Sequence, residues 1–204
     1  MKIICIGRNY AEHAKELNNP VPKEPLFFFK PDSAIIQKGK PFFYPEFTKD
    51  IHFECEIIVR INKLGKHINQ KFAHKYFDEV ALGLDLTARD LQQECKTKGL
   101  PWEKAKAFDG SAPMGDFISL SENNLDVNNL SFELKKNNET VQVGNTNQMI
   151  FSVSQIIEHV SKFFTLKIGD LIYTGTPEGV GPIAIDDEFE GFIEGKSSLK
   201  VPIR

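Results

Sequence analysis

The sequence predicts a β-rich α+β protein. Short runs dense in β-branched and aromatic residues recur along the chain, Gly, Pro and Asn punctuate them, and only three segments carry helical patterning. The 204 residues suffice for one sizeable core, so residues 1–204 read as a single domain. Hydrophobic residues make up 41% and charged residues 26%, a globular and not a disordered composition. Phe is heavily used, with 17 residues, which predicts a core built on aromatic side chains.

The elements follow in order. Ile3 to Ile6 reads as a short buried strand ended at Gly7, and Ala11 to Leu17 as a helix stopped by Asn18-Asn19-Pro20. Leu26 to Phe29, between Pro25 and Pro31, is a strand or tight extended segment within an irregular excursion from Pro20 to Pro45 that suits a flap or an oligomer contact. Ile51 to Ile61 reads as one long strand and Val80 to Leu86 as another. Thr87, with Asp90 three residues on, is placed as the N-cap of a helix running to about Lys98. Phe132 to Val143 reads as a hairpin turning at Asn137-Asn138. Ser152 to Phe164 is a helix with Ile156, Ile157, Val160, Phe163 and Phe164 on its apolar face. Leu171 to Tyr173, Glu188 to Ile193 and Leu199 to Ile203 complete the strands.

Several function classes are excluded by composition. A formal net charge of −3 lacks the basic footprint of a nucleic-acid binder. No apolar run approaches the roughly 20 residues that span a bilayer. Cys5, Cys55 and Cys95 are widely spaced and form no CxxC pair, so neither a disulfide scaffold nor a thiolate zinc site is expected. A reducing, cytoplasmic location fits. There is no GxSxG elbow, HExxH, GxGxxG or Walker motif.

Four places carry chemistry. In His52-Phe53-Glu54-Cys55-Glu56, strand alternation puts His52, Glu54 and Glu56 on one face. Two adjacent carboxylates on a buried strand repel each other and lose hydration, and a cation relieves both costs. The alternative is a solvent-facing polar edge. Asp85, closing the next strand, would make with Glu54 and Glu56 an all-oxygen site suited to Mg²⁺, Mn²⁺ or Ca²⁺. His13 and Glu16 are i and i+3 on the first helix, a general-base arrangement or a surface pair. Lys106 sits among Ala105, Ala107 and Phe108, placed to stabilise an enolate or bind a carboxylate unless it snorkels to solvent. The glycine-rich loop from Thr174 to Pro182 follows a strand and exposes backbone N–H groups that bind anions, or else makes a tight turn.

Five ordered motifs, GRNYAEHAKE, HFECE, GLDLTARDLQ, GLPWEKAKAFD and TGTPEGVGP, together resemble the fumarylacetoacetate hydrolase (FAH) family, and within it the short single-domain acylpyruvase and oxaloacetate decarboxylase branch. The resemblance covers nearly the whole chain. It implies an FAH-type mixed β-sandwich roll with a few short helices, a homodimer, and Mg²⁺ or Mn²⁺ held by Glu54, Glu56 and Asp85. It further implies His13, Glu16 and Lys106 as catalytic residues, and Arg89, Gln92 and Thr176 as contacts to a small 2-oxo acid substrate. The implied activity is metal-dependent cleavage of the C–C bond of 3-acylpyruvates to pyruvate and a carboxylic acid, through a metal-stabilised enolate and with decarboxylation of oxaloacetate alongside. Two alternatives stand beside it: an isomerase or tautomerase of 2-oxo or 2-hydroxydienoic acids such as oxaloacetate or 2-hydroxyhepta-2,4-diene-1,7-dioate, and a non-catalytic metal-dependent binding protein.

Overall fold

The computed structural model describes residues 1–16, 20–36 and 39–204. In the N-terminal half the elements are β1 (Ile3–Gly7), α1 (Ala11–Glu16), β2 (Leu26–Lys30), β3 (Ile51–Phe53), β4 (Cys55–Ile61), β5 (Phe77–Leu84), β6 (Thr87–Ala88) and α2 (Arg89–Lys98). There follow α3 (Glu103–Lys106), β7 (Ile118–Ser119), α4 (Leu120–Asn123), β8 (Ser131–Lys136), β9 (Glu139–Asn145), α5 (Val153–Phe163), β10 (Leu171–Tyr173), β11 (Gly181–Pro182), β12 (Glu188–Ile193) and β13 (Lys196–Pro202). They form a mixed α+β architecture of three sheets: six strands in the order β2-β1-β10-β4-β5-β7, four in the order β13-β12-β8-β9, and a small sheet β11-β3-β6.

The six-stranded sheet is buried on both faces, and strand parity shows it. Ile4 and Ile6 of β1 and Ile57 and Val59 of β4 enter the main core with Leu82 of β5, Phe189 of β12 and Leu199 of β13. Ile3, Cys5, Ile58 and Tyr173 point the other way into a second, smaller cluster. Alternation of this kind is what a period of two dictates when both faces are covered. The β1–β10 pairing is parallel, Ile3 opposite Leu171, whereas the other ladders of this sheet are antiparallel.

Local signals account for the ends of most elements. Ser152 caps α5 in a reciprocal capping box with Gln155, and Gly99, at φ 64°, ends α2 in the left-handed conformation. Asn137 and Asn138 both take positive φ and turn the β8–β9 hairpin where the sequence places the turn.

Four expectations need correction. The expected strand Ile51 to Ile61 is two strands in different sheets, broken at Glu54. Thr87 does not cap α2: it lies in β6, and the residue before α2 is Ala88, which makes no side-chain cap bond. Asp90 instead accepts from Thr48 Oγ1 and the Lys49 N–H. Phe163 is 56% exposed and stacks at the rim with Phe27 and His159, leaving Ile156, Ile157 and Val160 as the buried stripe of α5. Isoleucine, not phenylalanine, is the commonest core residue. Only Phe42, Phe53, Phe77, Phe132 and Phe189 are buried, because the other rings cover its margins. The strand expected at Leu26 to Phe29 is present as the edge strand β2, paired with β1. The predicted end of α1 at Leu17 to Asn19 lies outside the described residues. Among the described residues, no helix is long and apolar enough to cross a membrane.

Candidate active site

The break at Glu54 creates the site. β3 pairs with β6 through Ile51–Ala88 and His52–Thr87, and β4 pairs with β5 from Cys55–Leu84 onward. Two neighbouring chains therefore leave one sheet for another side by side, and Glu54 and Asp85 are the residues at that shared crossing. The Asp85 N–H donates to the Glu54 carbonyl at 2.8 Å, fixing the two backbones together. Glu56, two residues on, lies on the same side by strand parity. One oxygen from each of Glu54, Glu56 and Asp85 falls within 4.8 Å of the others, and all three residues are buried. His52, on the same nominal face, turns away and meets Asp50 at 3.0 Å.

Three cations balance these acids. Lys106 Nζ, on α3, donates to Glu54 Oε2 and Asp85 Oδ2, each at 2.8 Å, and to Thr87 Oγ1. It is 3% exposed, so the snorkelling alternative does not hold. Arg89, opening α2, donates to Glu54 Oε1 and Gln92 Oε1, both at 2.8 Å. Lys30, at the end of β2, lies 2.8 Å from Asp85 Oδ1. Its three hydrogens point to the carbonyls of Leu86, Lys106 and Ser111. Asp85 Oδ1 is thus buried with a positive charge nearby and no hydrogen bond.

The two glutamates titrate in opposite directions. Burial alone would raise Glu54, but Lys106, Arg89 and His13 hold it far below the usual carboxylate range. Burial, then the charges of Asp85 and Glu54, push Glu56 well above that range, despite the Gly175 N–H that donates to its Oε2 at 2.7 Å. Burial would likewise lower Lys106, but Asp85 and Glu54 hold it above the ordinary lysine value. Three buried carboxylates, one oxygen without a hydrogen bond and an all-oxygen donor set fit a hard divalent cation.

The glycine-rich loop does bind anions, and here they are the protein's own carboxylates. Gly175 (φ +102°) donates to Glu56, and a Cβ there would come within 2.6 Å of Asn9. Gly179 donates to Glu16 Oε1 at 3.1 Å. The other oxygen of Glu16 lies 3.0 Å from His13 Nδ1, so in the neutral tautomer that donates to Glu16 the lone pair is on Nε2. His13 is 4% exposed and lines the same cavity as the triad, Lys106, Arg89, Gln92 and Thr176. The described residues thus bring every sequence-predicted site residue into one place.

The space at the centre is about 40 Å³, room for a few waters. It opens past Arg8, Leu26, Phe28, Trp102 and Lys106 onto a cleft of about 1020 Å³ beside β2. Sequence reasoning missed four groups. Lys30 gave no local signal, because its partner Asp85 is distant in the chain. Gln142 accepts from the Cys55 N–H at 2.9 Å and donates to Thr176 Oγ1 and the Pro177 carbonyl at 3.0 Å, tying β4 to the glycine loop. Arg8 is the third. Lys96 could have been found, since Arg89, Gln92 and Lys96 fall at i, i+3 and i+7 on one face of α2.

A buried acidic triad beside a lysine and a His–Glu pair, at a strand crossing of a mixed β roll, marks an enzyme site. Residues 2–203 match the fumarylacetoacetate hydrolase C-terminal family, and the chain belongs to it. It is 46% identical to the mitochondrial oxaloacetate tautomerase of Mus musculus over 202 residues, covering 99% of this chain and 91% of the relative. It is 41% identical to an oxaloacetate tautomerase of Escherichia coli, covering 96% and 90%. Among solved structures, fumarylpyruvate hydrolase of Pseudomonas aeruginosa in complex with Mn²⁺ and pyruvate superposes with a TM-score of 0.93 at 36% identity, covering 100% of this chain and 89% of that one.

Proposed function

We propose that the protein is a divalent-metal-dependent enolising enzyme acting on a 2-oxo acid, and that it interconverts the keto and enol forms of oxaloacetate. The observation that carries this reading is buried His13, held at Nδ1 by Glu16, lining the same small cavity as the acidic triad and Lys106. Names borne by relatives at 41% and 46% identity support the substrate.

Enolisation needs a base at C3 and positive charge at the C2 oxygen. His13 Nε2, with Nδ1–H held by Glu16, takes the proton from C3. Lys106 Nζ faces the negative charge that develops on the C2 oxygen, and a proton delivered to that oxygen completes the enol. Arg89 and Gln92 orient the C1 carboxylate, with Thr176 closing the far wall. Mg²⁺ or Mn²⁺ held by Glu54, Glu56 and Asp85 would supply Lewis-acid polarisation of the 2-oxo acid.

A second reading is C–C hydrolysis of 3-acylpyruvates to pyruvate and a carboxylic acid, with His13 activating water. The likeness to fumarylpyruvate hydrolase favours it. Proton NMR of the Mg²⁺-loaded protein separates the two. Accelerated enol–keto exchange of oxaloacetate without new carboxylic acid from acetylpyruvate supports the tautomerase; acetate and pyruvate appearing together support the hydrolase; inactivity on both overturns the proposal. Replacing His13 with Ala should lower the enolisation rate by about 10²- to 10⁴-fold. A homodimer and a reducing, cytoplasmic setting belong to the same proposal. The free, buried thiols of Cys5, Cys55 and Cys95 support the setting, and light scattering in solution tests the dimer.

A further inference from the structure

The buried acidic triad is balanced by formal charge. Glu54, Glu56 and Asp85 face Lys30, Lys106 and Arg89, each in ion-pair contact with at least one acid. Two further cations, Arg8 and Lys96, line the cavity at the triad. Among the described residues, neither joins an ion pair. The nearby acid of α2, Glu94, is already bonded to Lys98 and Lys104.

Both cations are held in place by structure. Arg8 takes φ 59°, a left-handed conformation uncommon for a residue with a side chain. It is kept there by its neighbour: fully buried Asn9 donates to the carbonyls of Thr174 and Phe151 and accepts from the Phe151 N–H. Lys96 projects from the same face of α2 as Arg89 and Gln92, its ammonium 5.8 Å from the centre of the Trp102 ring. Partial burial, then repulsion from Arg89 and Arg8, push it below the ordinary lysine range. Mutually repelling cations at a cavity mouth, neither of them in an ion pair with a protein acid among the described residues, are relieved when an anionic ligand binds there.

We infer that Arg8 and Lys96 form a clamp for the second carboxylate of a 2-oxo dicarboxylic acid, which makes them the residues that select a diacid over a substrate with a neutral distal group. The inference rests on the enolising site proposed above and adds to it the group at the far end of the substrate. Arg8 also lines the outer cleft, so a carboxylate held there leaves C2 and C3 pointing inward toward Lys106 and His13.

The test is calorimetric binding to the Mg²⁺-loaded protein of oxaloacetate and of its 4-methyl ester, which differ in the distal charge. Wild type should bind the diacid at least about 10-fold more tightly. Arg8→Gln and Lys96→Gln should each shrink that ratio by about 10-fold or more, and Arg8→Lys should restore part of it. Lys96 stands at the exposed rim, so its variant remains informative if loss of Arg8 disturbs the turn. Equal wild-type affinity for acid and ester overturns the clamp, as does an equal loss for both ligands in the variants. Enol–keto exchange measured on the same wild-type preparation separates the two readings. Diacid preference without exchange keeps the clamp and overturns the tautomerase; exchange without diacid preference does the reverse.

Discussion

Asp85 and Asp187 are both buried, each with a lysine ammonium 2.8 Å away, Asp85 at the crossing between sheets and Asp187 at the turn entering β12. Asp187 is fully answered by the protein. Its Oδ2 accepts from the Ala184 N–H at 2.6 Å and faces Lys136, and its Oδ1 accepts from Asn137 Nδ2 at 2.8 Å. Asp85 keeps one oxygen without a hydrogen bond, because the hydrogens of Lys30 go to carbonyls instead. A carboxylate whose oxygens are all satisfied closes a turn; one left short has capacity for a ligand.

Three substitutions sharpen the contrast. Lys30→Met should have the largest effect, a loss of about 3 to 5 kcal/mol in urea unfolding, because it leaves Lys106 alone to answer Asp85 and takes the donor from the buried carbonyls of Leu86, Lys106 and Ser111. Saturating Mg²⁺ should recover part of that loss, and no recovery would speak against Asp85 as a metal ligand. Asp85→Asn should abolish the rise in melting temperature that Mg²⁺ gives the wild type, a stabilisation of about 2.7 kcal/mol at a hundredfold excess over Kd. Asp187→Asn should cost about 1 to 2 kcal/mol and leave the Mg²⁺ response unchanged.

That last variant should also alter the dependence of stability on pH. Burial would raise Asp187, but bonds from Lys136, the Ala184 N–H and Asn137 hold its folded pKa below the usual carboxylate value. Its contribution is therefore complete above the unfolded value of about 3.9 and disappears as pH falls through the folded pKa. Urea midpoints measured from pH 6 down to pH 3 should fall less steeply for Asp187→Asn than for wild type. Parallel curves would refute the assignment.

Legibility in the sequence followed the range of the interaction. Glu54, Glu56, His13 and Glu16 could be grouped because their spacing is local, two residues on a strand and three on a helix. The hairpin at Asn137-Asn138 and the α5 cap at Ser152 were readable for the same reason. The break at Glu54 was not, since Ile51 to Ile61 keeps the composition of one strand and the interruption comes from pairing with β5 and β6. Thr87 looked like a cap because the residue three positions on is acidic, yet Asp90 is claimed by Thr48 and Thr87 by Lys106. Lys30 and Gln142 act on partners far along the chain, and nothing in their own neighbourhoods marks them.

The long reach of these contacts has a consequence for synthesis. Ile3 pairs with Leu171, and Glu16 receives the N–H of Gly179, so the first strand and the His13–Glu16 pair stay unfinished until the last quarter of the chain is made. At ribosomal speeds of about 5 to 20 residues per second, β1 waits on the order of 10 to 30 seconds for its partner. Throughout that time a run of buried isoleucines has only the edge strand β2 beside it. Activity in a nascent or refolding population therefore reports closure of the whole chain and not maturation of a local motif.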